Sequence, residues 1–307
     1  MNDSGPQPSS IKLVDVTNGR PFPSAPAGSV LVSSMPLGWR GIIVERHRLE
    51  PQDLPEHYVV GHGLTVSTGK RPISFHWKDG GRWRKGILNP GEFHLLADGD
   101  LNAPGWSQTF EELSLVLNPR CVADTLGDAM PARAVEFSSQ RSVHDAIVAF
   151  YADAFSSELF TDSPNGLLYV ETLTVGLVLH LLSNYAVAKP RIPLPRGKLN
   201  HFQLRRVVDF ILSHLNEDVS LLALAEQANV SPFHFARLFR ATLRLTPHQF
   251  VLRQRIQKSV NLIKIGKLPL AQIAVESGFY DQAHLTHAFQ KLLGTTPALY
   301  SPNRNRH

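Results

Sequence analysis

One cysteine, Cys121, in 307 residues excludes an internal disulfide and is too few for a cysteine-based zinc site. A reducing cytosol is the expected compartment. No apolar run reaches the length of a membrane span. The longest candidate, Leu173 to Leu182, is interrupted by Thr174, Gly176 and His180. The opening MNDSGPQPSS lacks a basic leader followed by an apolar core, so no signal peptide is expected. No Gly-rich phosphate loop is present. GHGLTVSTGK is a weak echo without the required spacing or the final Ser or Thr. These absences leave no expected cofactor and no expected membrane partner.

What is present is a division of charge. From Arg196 onward there are 15 Lys and Arg against 6 Asp and Glu, a net of +9, whereas residues 1–195 carry −4. A basic segment of that kind suits a polyanion, although charge alone leaves a chance excess of solvated Lys and Arg open.

The first part of the chain reads as β structure. GWRGIIVERHRLE, HYVVGHGLTVST, RPISFHWK, GRWRKGIL and QTFEELSLVLN look like strands, separated by turn signals at KDGG and LNPGEF. After about Ser138 the pattern becomes helical. SQRSVHDAIVAFYADAFSS places Val143, Ile147, Phe150, Ala154 and Phe155 on one face. A second helix is expected from Ser163-Pro164, with Leu168, Val175, Val178, Leu182 and Tyr185 as a stripe that serves either the core or a dimer seam. KPRIPLPRGK reads as a linker. The expected domains are a disordered tail (1–27), a sensor and dimerisation domain (28–188; β-barrel 28–137, helices 138–188), a linker (189–199) and a DNA-binding domain (200–301).

The C-terminal part contains a repeat. LLALAEQANVSPFHFARLFRATLRLTPHQF aligns with LAQIAVESGFYDQAHLTHAFQKLLGTTPALY: Ala225 matches Ala274, Asn229 matches Gly278, Phe239 matches Phe289, and Thr246-Pro247 matches Thr296-Pro297. Each copy reads as helix, tight turn, helix. Asn229 and Gly278 tolerate the left-handed backbone that ends a first helix. Ser231 and Asp281 are suitable caps for the second. On that second helix Phe235, Leu238, Phe239 and Thr242 share one face and Phe233, Ala236, Arg237 and Arg240 the other. In the second copy Leu285, Ala288, Phe289 and Leu292 face the core. Ala283, Thr286, His287 and Gln290 point outward, with Gln282 at the N-terminal end. Arg and Gln outside, grease inside, suits a major groove. A plain helical bundle would explain the amphipathicity but not the paired caps.

These residues resemble the AraC/XylS family of transcription regulators. The match runs through LALAEQANVS, HFARLFR, RQRIQKSVNLI and IAVESGFYDQAHLTHAFQKLLGTTPALY. The resemblance implies two helix-turn-helix subdomains joined by a helix through Val251 to Ile263, with successive major grooves about 34 Å apart. It places Ser231, Phe233, His234, Ala236, Arg237 and Arg240, then Gln282, Ala283, Thr286, His287 and Gln290, at double-stranded DNA. Three positions depart from the family pattern. Arg244 stands where a helix-ending Gly is common, His287 where Arg is frequent and Leu285 where Phe is commoner. The resemblance further implies a homodimer, a small-molecule effector and contact with RNA polymerase, and leaves activation and repression open.

The N-terminal half is less similar to the family's cupin-like sensor barrels; ILNPGEFHLL resembles a turn in them. The overall expectation is a two-domain α+β protein, a cupin-like barrel with a helical dimerisation segment followed by an all-α tandem helix-turn-helix domain. His57, His62, His76 and His94 are the candidate metal ligands, but this half has no HxH pair, and APGW carries Trp106 where such barrels often have His. Neither metal nor catalysis is therefore expected. A cupin-type metalloenzyme fused to a DNA-binding module and a ligand-independent regulator are the alternatives. Trp39, Phe75, Trp77, Trp83, Phe93 and Trp106 either line a ligand pocket or fill a core. Period two puts Phe75 and Trp77 on one face and His76 on the other.

Overall fold

The computed structural model describes residues 7–79, 81–126, 136–161, 165–188 and 197–300. The chain divides into two compact units. One is Met1–Asp162 with Leu173–Pro193, and the other is Ser163–Thr172 with Leu194–His307.

The first unit is rich in β structure. Its strands are β1 (Lys12–Asp15), β2 (Pro21–Pro23), β3 (Val30–Ser33), β4 (Ile42–Leu49), β5 (Gln52–Asp53), β6 (His57–Val59), β7 (His62–Ser67), β8 (Ile73–Asp79), β9 (Arg82–Leu88), β10 (Phe93–Leu96), β11 (Pro104–Trp106), β12 (Phe110–Leu117) and β13 (Gln140–Val143). Among the described residues they form three sheets, ordered β2-β1-β6, β13-β10-β7-β12-β4-β3 and β5-β11-β8-β9. KDGG falls where β8 ends and β9 begins, with Gly80 outside the described residues, and the turn expected at LNPGEF joins β9 to β10. The expected tail needs correcting. Ile11 and Leu13 are buried, and β1 pairs with both β2 and β6. Alternating apolar residues that dock on Val59 outweigh the Pro and Ser composition around them. Residues 1–6 lie outside the described residues.

Three helices follow: α1 (Pro119–Leu126), α2 (Ala146–Phe160) and α3 (Gly166–Tyr185). Asp145 caps α2, its carboxylate accepting from the amides of Ile147 and Val148. The cap fixes the helical phase and leaves Val143 in a strand. Phe155 is buried as expected, but its buried companions are Val148, Ala152 and Leu159, whereas Ile147 and Phe150 are 48% and 60% exposed. The first turns of α2 are apolar on every side, so periodicity did not select the face.

α3 runs straight through Thr174, Gly176 and His180. It is long and apolar enough to cross a membrane by length and composition, yet half of its apolar window is buried inside the fold. Leu168, Val175, Val178 and Leu182 are all buried, as the stripe requires. Gly176 is needed for close approach, because a Cβ there would strike the Tyr151 hydroxyl of α2. His180 and Tyr185 both bond the Asp145 carboxylate, tying α3 to the cap of α2. Ser163-Pro164 and linker residues 189–196 fall outside the described residues.

The second unit is helical: α4 (His201–Ser213), α5 (Leu221–Ala228), α6 (Pro232–Leu243), α7 (Pro247–Ile265), α8 (Leu270–Glu276), α9 (Gln282–Leu293) and α10 (Pro297–Tyr300). Side chains of Asn200, Ser220, Ser231, Thr246 and Asp281 accept from amides in the first turns of five of them. The first turns of α3 also belong to this unit, against the expected boundary at 188. The Leu167 amide donates to Asp218, and the Leu221 amide that opens α5 donates to Glu171. A carboxylate at a helix N-terminus satisfies amides that would otherwise be orphaned.

Candidate nucleic-acid interface and an interior cavity

Each helix-turn-helix is set from behind. Leu224 and Ala225 of α5 and Phe235 and Phe239 of α6 are fully buried, the two Phe rings 5.4 Å apart. In the second copy Ile273, Ala274, Leu285, Ala288 and Phe289 form one cluster with Ile256, Val260 and Ile263 of the connecting α7. Ser231 caps α6 with Pro232 at its first position, and the Asp281 carboxylate accepts from the His284 amide at 2.7 Å.

With the apolar side fixed, the polar side faces out. Arg237 and Arg240 are exposed, and neither makes an ion pair among the described residues. Ser231, His234 and Ala236 are partly exposed. Phe233 departs from expectation: it is 3% exposed and cannot offer its ring to a duplex. Burying the ring gains more than presenting it to water. Arg237 instead lies over that ring, 5.9 Å from its centroid. On α9, Gln282, Ala283, Thr286, His287 and Gln290 line one shallow concavity. The Thr286 hydroxyl donates to the Gln282 carbonyl at 2.8 Å, so only its lone pairs and methyl remain for a partner.

The helix ends also repeat. Asn229, Arg244, Gly278 and Gly294 have φ of 55°, 60°, 85° and 69°. Arg244 holds the strained left-handed conformation with its amide bonded to the Arg240 carbonyl. At Gly278 space matters as much as φ. A Cβ would sit 2.1 Å from the Leu215 carbonyl oxygen and 2.8 Å from Arg255 Nε. Arg255 Nε donates to that carbonyl at 2.9 Å, and Nη2 donates to the Glu217 carbonyl at 2.8 Å. Arg255 thus ties α7 to the segment that follows α4, a clamp that helix periodicity gives no sign of.

The first unit encloses a cavity of about 130 Å³. Of the six aromatics proposed for a pocket, Phe75 and Trp106 line it. The other four lie elsewhere. Trp39 packs on Phe155, Trp77 stacks on Phe75, Trp83 is 61% exposed, and Phe93 is buried against Tyr185. Phe75 and His76 do alternate: Phe75 is buried, and His76 bonds Asp53 at 2.8 Å. Trp106 donates its indole N–H to the Glu50 carbonyl at 2.8 Å, which satisfies a buried donor at the position where cupin-like barrels often have His. Among the four histidines considered, His57 and His94 line the cavity. No group of His, Cys, Asp and Glu among the described residues is arranged to hold a metal ion.

The buried polar groups of this unit carry no local sequence signal. Glu45 and His47 of β4 and Glu112 of β12 form a buried network, His47 bonding Glu45 at 2.9 Å and Glu112 at 3.3 Å. Burial alone would raise the Glu45 carboxyl, but hydrogen bonds from His47, Ser9, Ser10 and Ser33 hold it at about 2. Burial would lower His47, but its bonds to Glu112 and Glu45 and their charges raise it to about 9. His94 has no such partner, and burial with Arg141 nearby pushes it down to about 3. A period-two pattern showing E-R-H reads as a solvated face, so only the tertiary contacts expose the network.

Comparison with known proteins agrees with this geometry. Residues 224–302 match the family model described as a helix-turn-helix domain. The chain is 32% identical over 103 residues to the probable transcriptional regulator LumQ of Photobacterium leiognathi, a stretch covering 34% of this chain and 42% of that protein. It is 29% identical over 97 residues to the right origin-binding protein of Escherichia coli (strain K12), covering 32% and 34%. The DNA-binding domain of AdpA, solved in complex with a target DNA, is 31% identical over 32% of this chain and 88% of that one, with a TM-score of 0.31. The chain thus spans well under two thirds of these curated relatives. Fold and match together define the C-terminal unit as a helix-turn-helix domain. It is of the AraC type, the type found in transcriptional regulators.

Proposed function

We propose that the chain is a sequence-specific DNA-binding transcription regulator. The observation that carries this reading is the pair of capped helices, α6 and α9, whose exposed faces hold Arg237 and Arg240 in one and Gln282, Thr286, His287 and Gln290 in the other. A net charge of +9 from Arg196 onward favours a polyanion. In this reading Arg237 contacts a guanine edge or a phosphate, and Gln282 and Gln290 read base edges, with Ser231, His234, Ala236 and Ala283 completing the contact surface. The β-rich unit acts as a cupin-like sensor whose ligand shifts the population of a DNA-competent arrangement, and its helices support a homodimer. The protein works in the cytosol with RNA polymerase as a further partner, and performs no catalysis of its own.

Binding selection on random duplexes at stated salt tests the proposal. The expected product is a motif with two half-sites about one helical turn apart, bound with steeply salt-dependent affinity. Enrichment of no motif would remove sequence-specific control.

A further inference from the structure

The cavity of the β-rich unit is apolar over most of its wall, from Leu49, Ile73, Phe75, Leu88, Trp106 and Phe110. One cationic side chain, Arg141 of β13, joins that wall. Its Nη2 donates to Asn102 Oδ1 at 2.7 Å, and its guanidinium lies 5.1 Å over the Trp77 ring. Among the described residues no carboxylate oxygen pairs with it; Asp79 and Asp100 act on it only at longer range. A guanidinium has five N–H donors, and a half-buried one without a counter-charge is an incomplete site.

His94 lies on the same wall, its ring 4.6 Å from Phe75. Its Nδ1 accepts from the Ser142 amide at 3.0 Å, which leaves the ring proton on Nε2. His94 is therefore a neutral donor near a cation. The one carboxylate in the wall, Glu112, is already bonded by His47 and Ser114. The volume limits the guest, since a dry cavity of about 150 Å³ accommodates a benzene ring.

We infer that this cavity takes a small monocarboxylate with an apolar body, its carboxylate held by Arg141 and His94 and its body against Phe75, Ile73 and Leu88. The inference rests on the sensor reading of this unit and gives the ligand its chemical class. A planar carboxylate matches the guanidinium fork, which an alcohol or amide does not.

The test is calorimetric titration of the full chain with sodium butyrate, 1-butanol and butanamide, which are no larger than a benzene ring. Butyrate is expected to bind with unit stoichiometry, and the neutral pair about tenfold or more weaker, the scale of a charge-assisted hydrogen bond. Arg141→Met should abolish that preference while tryptophan fluorescence reports a folded β unit. Should Arg141→Met fail to fold, Arg141→Lys, which keeps the charge but loses the fork, should weaken butyrate and retain part of the preference. No binding by butyrate, equal binding by butanol, or an unchanged preference in either variant overturns the inference. DNA affinity measured alongside separates the two readings. Arg141-dependent butyrate binding that leaves DNA affinity unmoved keeps the ligand class and removes ligand control. DNA affinity that is intact where butyrate fails to bind removes only the ligand class.

Discussion

Gly278→Ala is the sharpest perturbation the helical unit offers. The residue has φ of 85°, where a side chain costs about 1–2 kcal/mol. Its new Cβ would lie 2.1 Å from the Leu215 carbonyl oxygen, and backbone must then move. That oxygen accepts from Arg255 Nε, and losing a hydrogen bond from a charged donor costs about 1.5–3 kcal/mol. The expected destabilisation is about 3–4 kcal/mol, a large share of a domain's usual 5–15 kcal/mol. Asn229→Ala is the control. It occupies the matching turn of the first copy at φ of 55° and is exposed, so only the conformational penalty of about 1 kcal/mol applies. Urea unfolding followed by far-ultraviolet circular dichroism is the assay, because all four Trp lie in the other unit. A Gly278→Ala protein as stable as Asn229→Ala would refute the reasoning. Combining Gly278→Ala with Arg255→Ala should cost less than the two separately, since both break one contact.

Other perturbations separate reading from packing. Arg237→Ala should weaken specific DNA binding by about 1–3 kcal/mol without lowering the melting temperature; unchanged affinity in a filter-binding or fluorescence assay would remove it from the interface. Phe233→Ala should do the reverse, destabilising by about 3–5 kcal/mol, and a stable variant that no longer binds DNA would return Phe233 to the reading face. The β-rich unit should be most stable near pH 6.5. His47, raised from 6.5 to about 9, contributes fully below 6.5 and loses that contribution as pH rises to 9. His94, lowered from 6.5 to about 3, contributes above 6.5 and loses it as pH falls, joined by Glu45 between 4.5 and about 2. At about 1.4 kcal/mol per pH unit, His47 alone is worth on the order of 3–4 kcal/mol. Tryptophan-fluorescence melts from pH 5 to 9 should show the decline on the alkaline side, and His47→Gln should flatten it.

The amino-acid sequence by itself determined the helical unit. Caps, left-handed turn residues and apolar spacing act within a dozen residues, so Ser231, Asp281, Asn229 and the Phe235/Phe239 face could all be read locally. The strands around the turns at KDGG and LNPGEF were legible for the same reason. Tertiary structure alone decided the rest. Phe233 is buried although its helical phase groups it with the exposed Arg237 and Arg240, because burial depends on contacts that phase does not specify. Gly278 cannot be Asn because Leu215, 63 positions earlier, presents a carbonyl there. Arg141 reads as part of a helix until the Asp145 cap starts α2 after it and leaves it in β13, on the cavity wall with His94. Local chemistry fixes a turn or a cap, whereas burial and charge pairing depend on which distant segment arrives opposite, and only the folded chain specifies that.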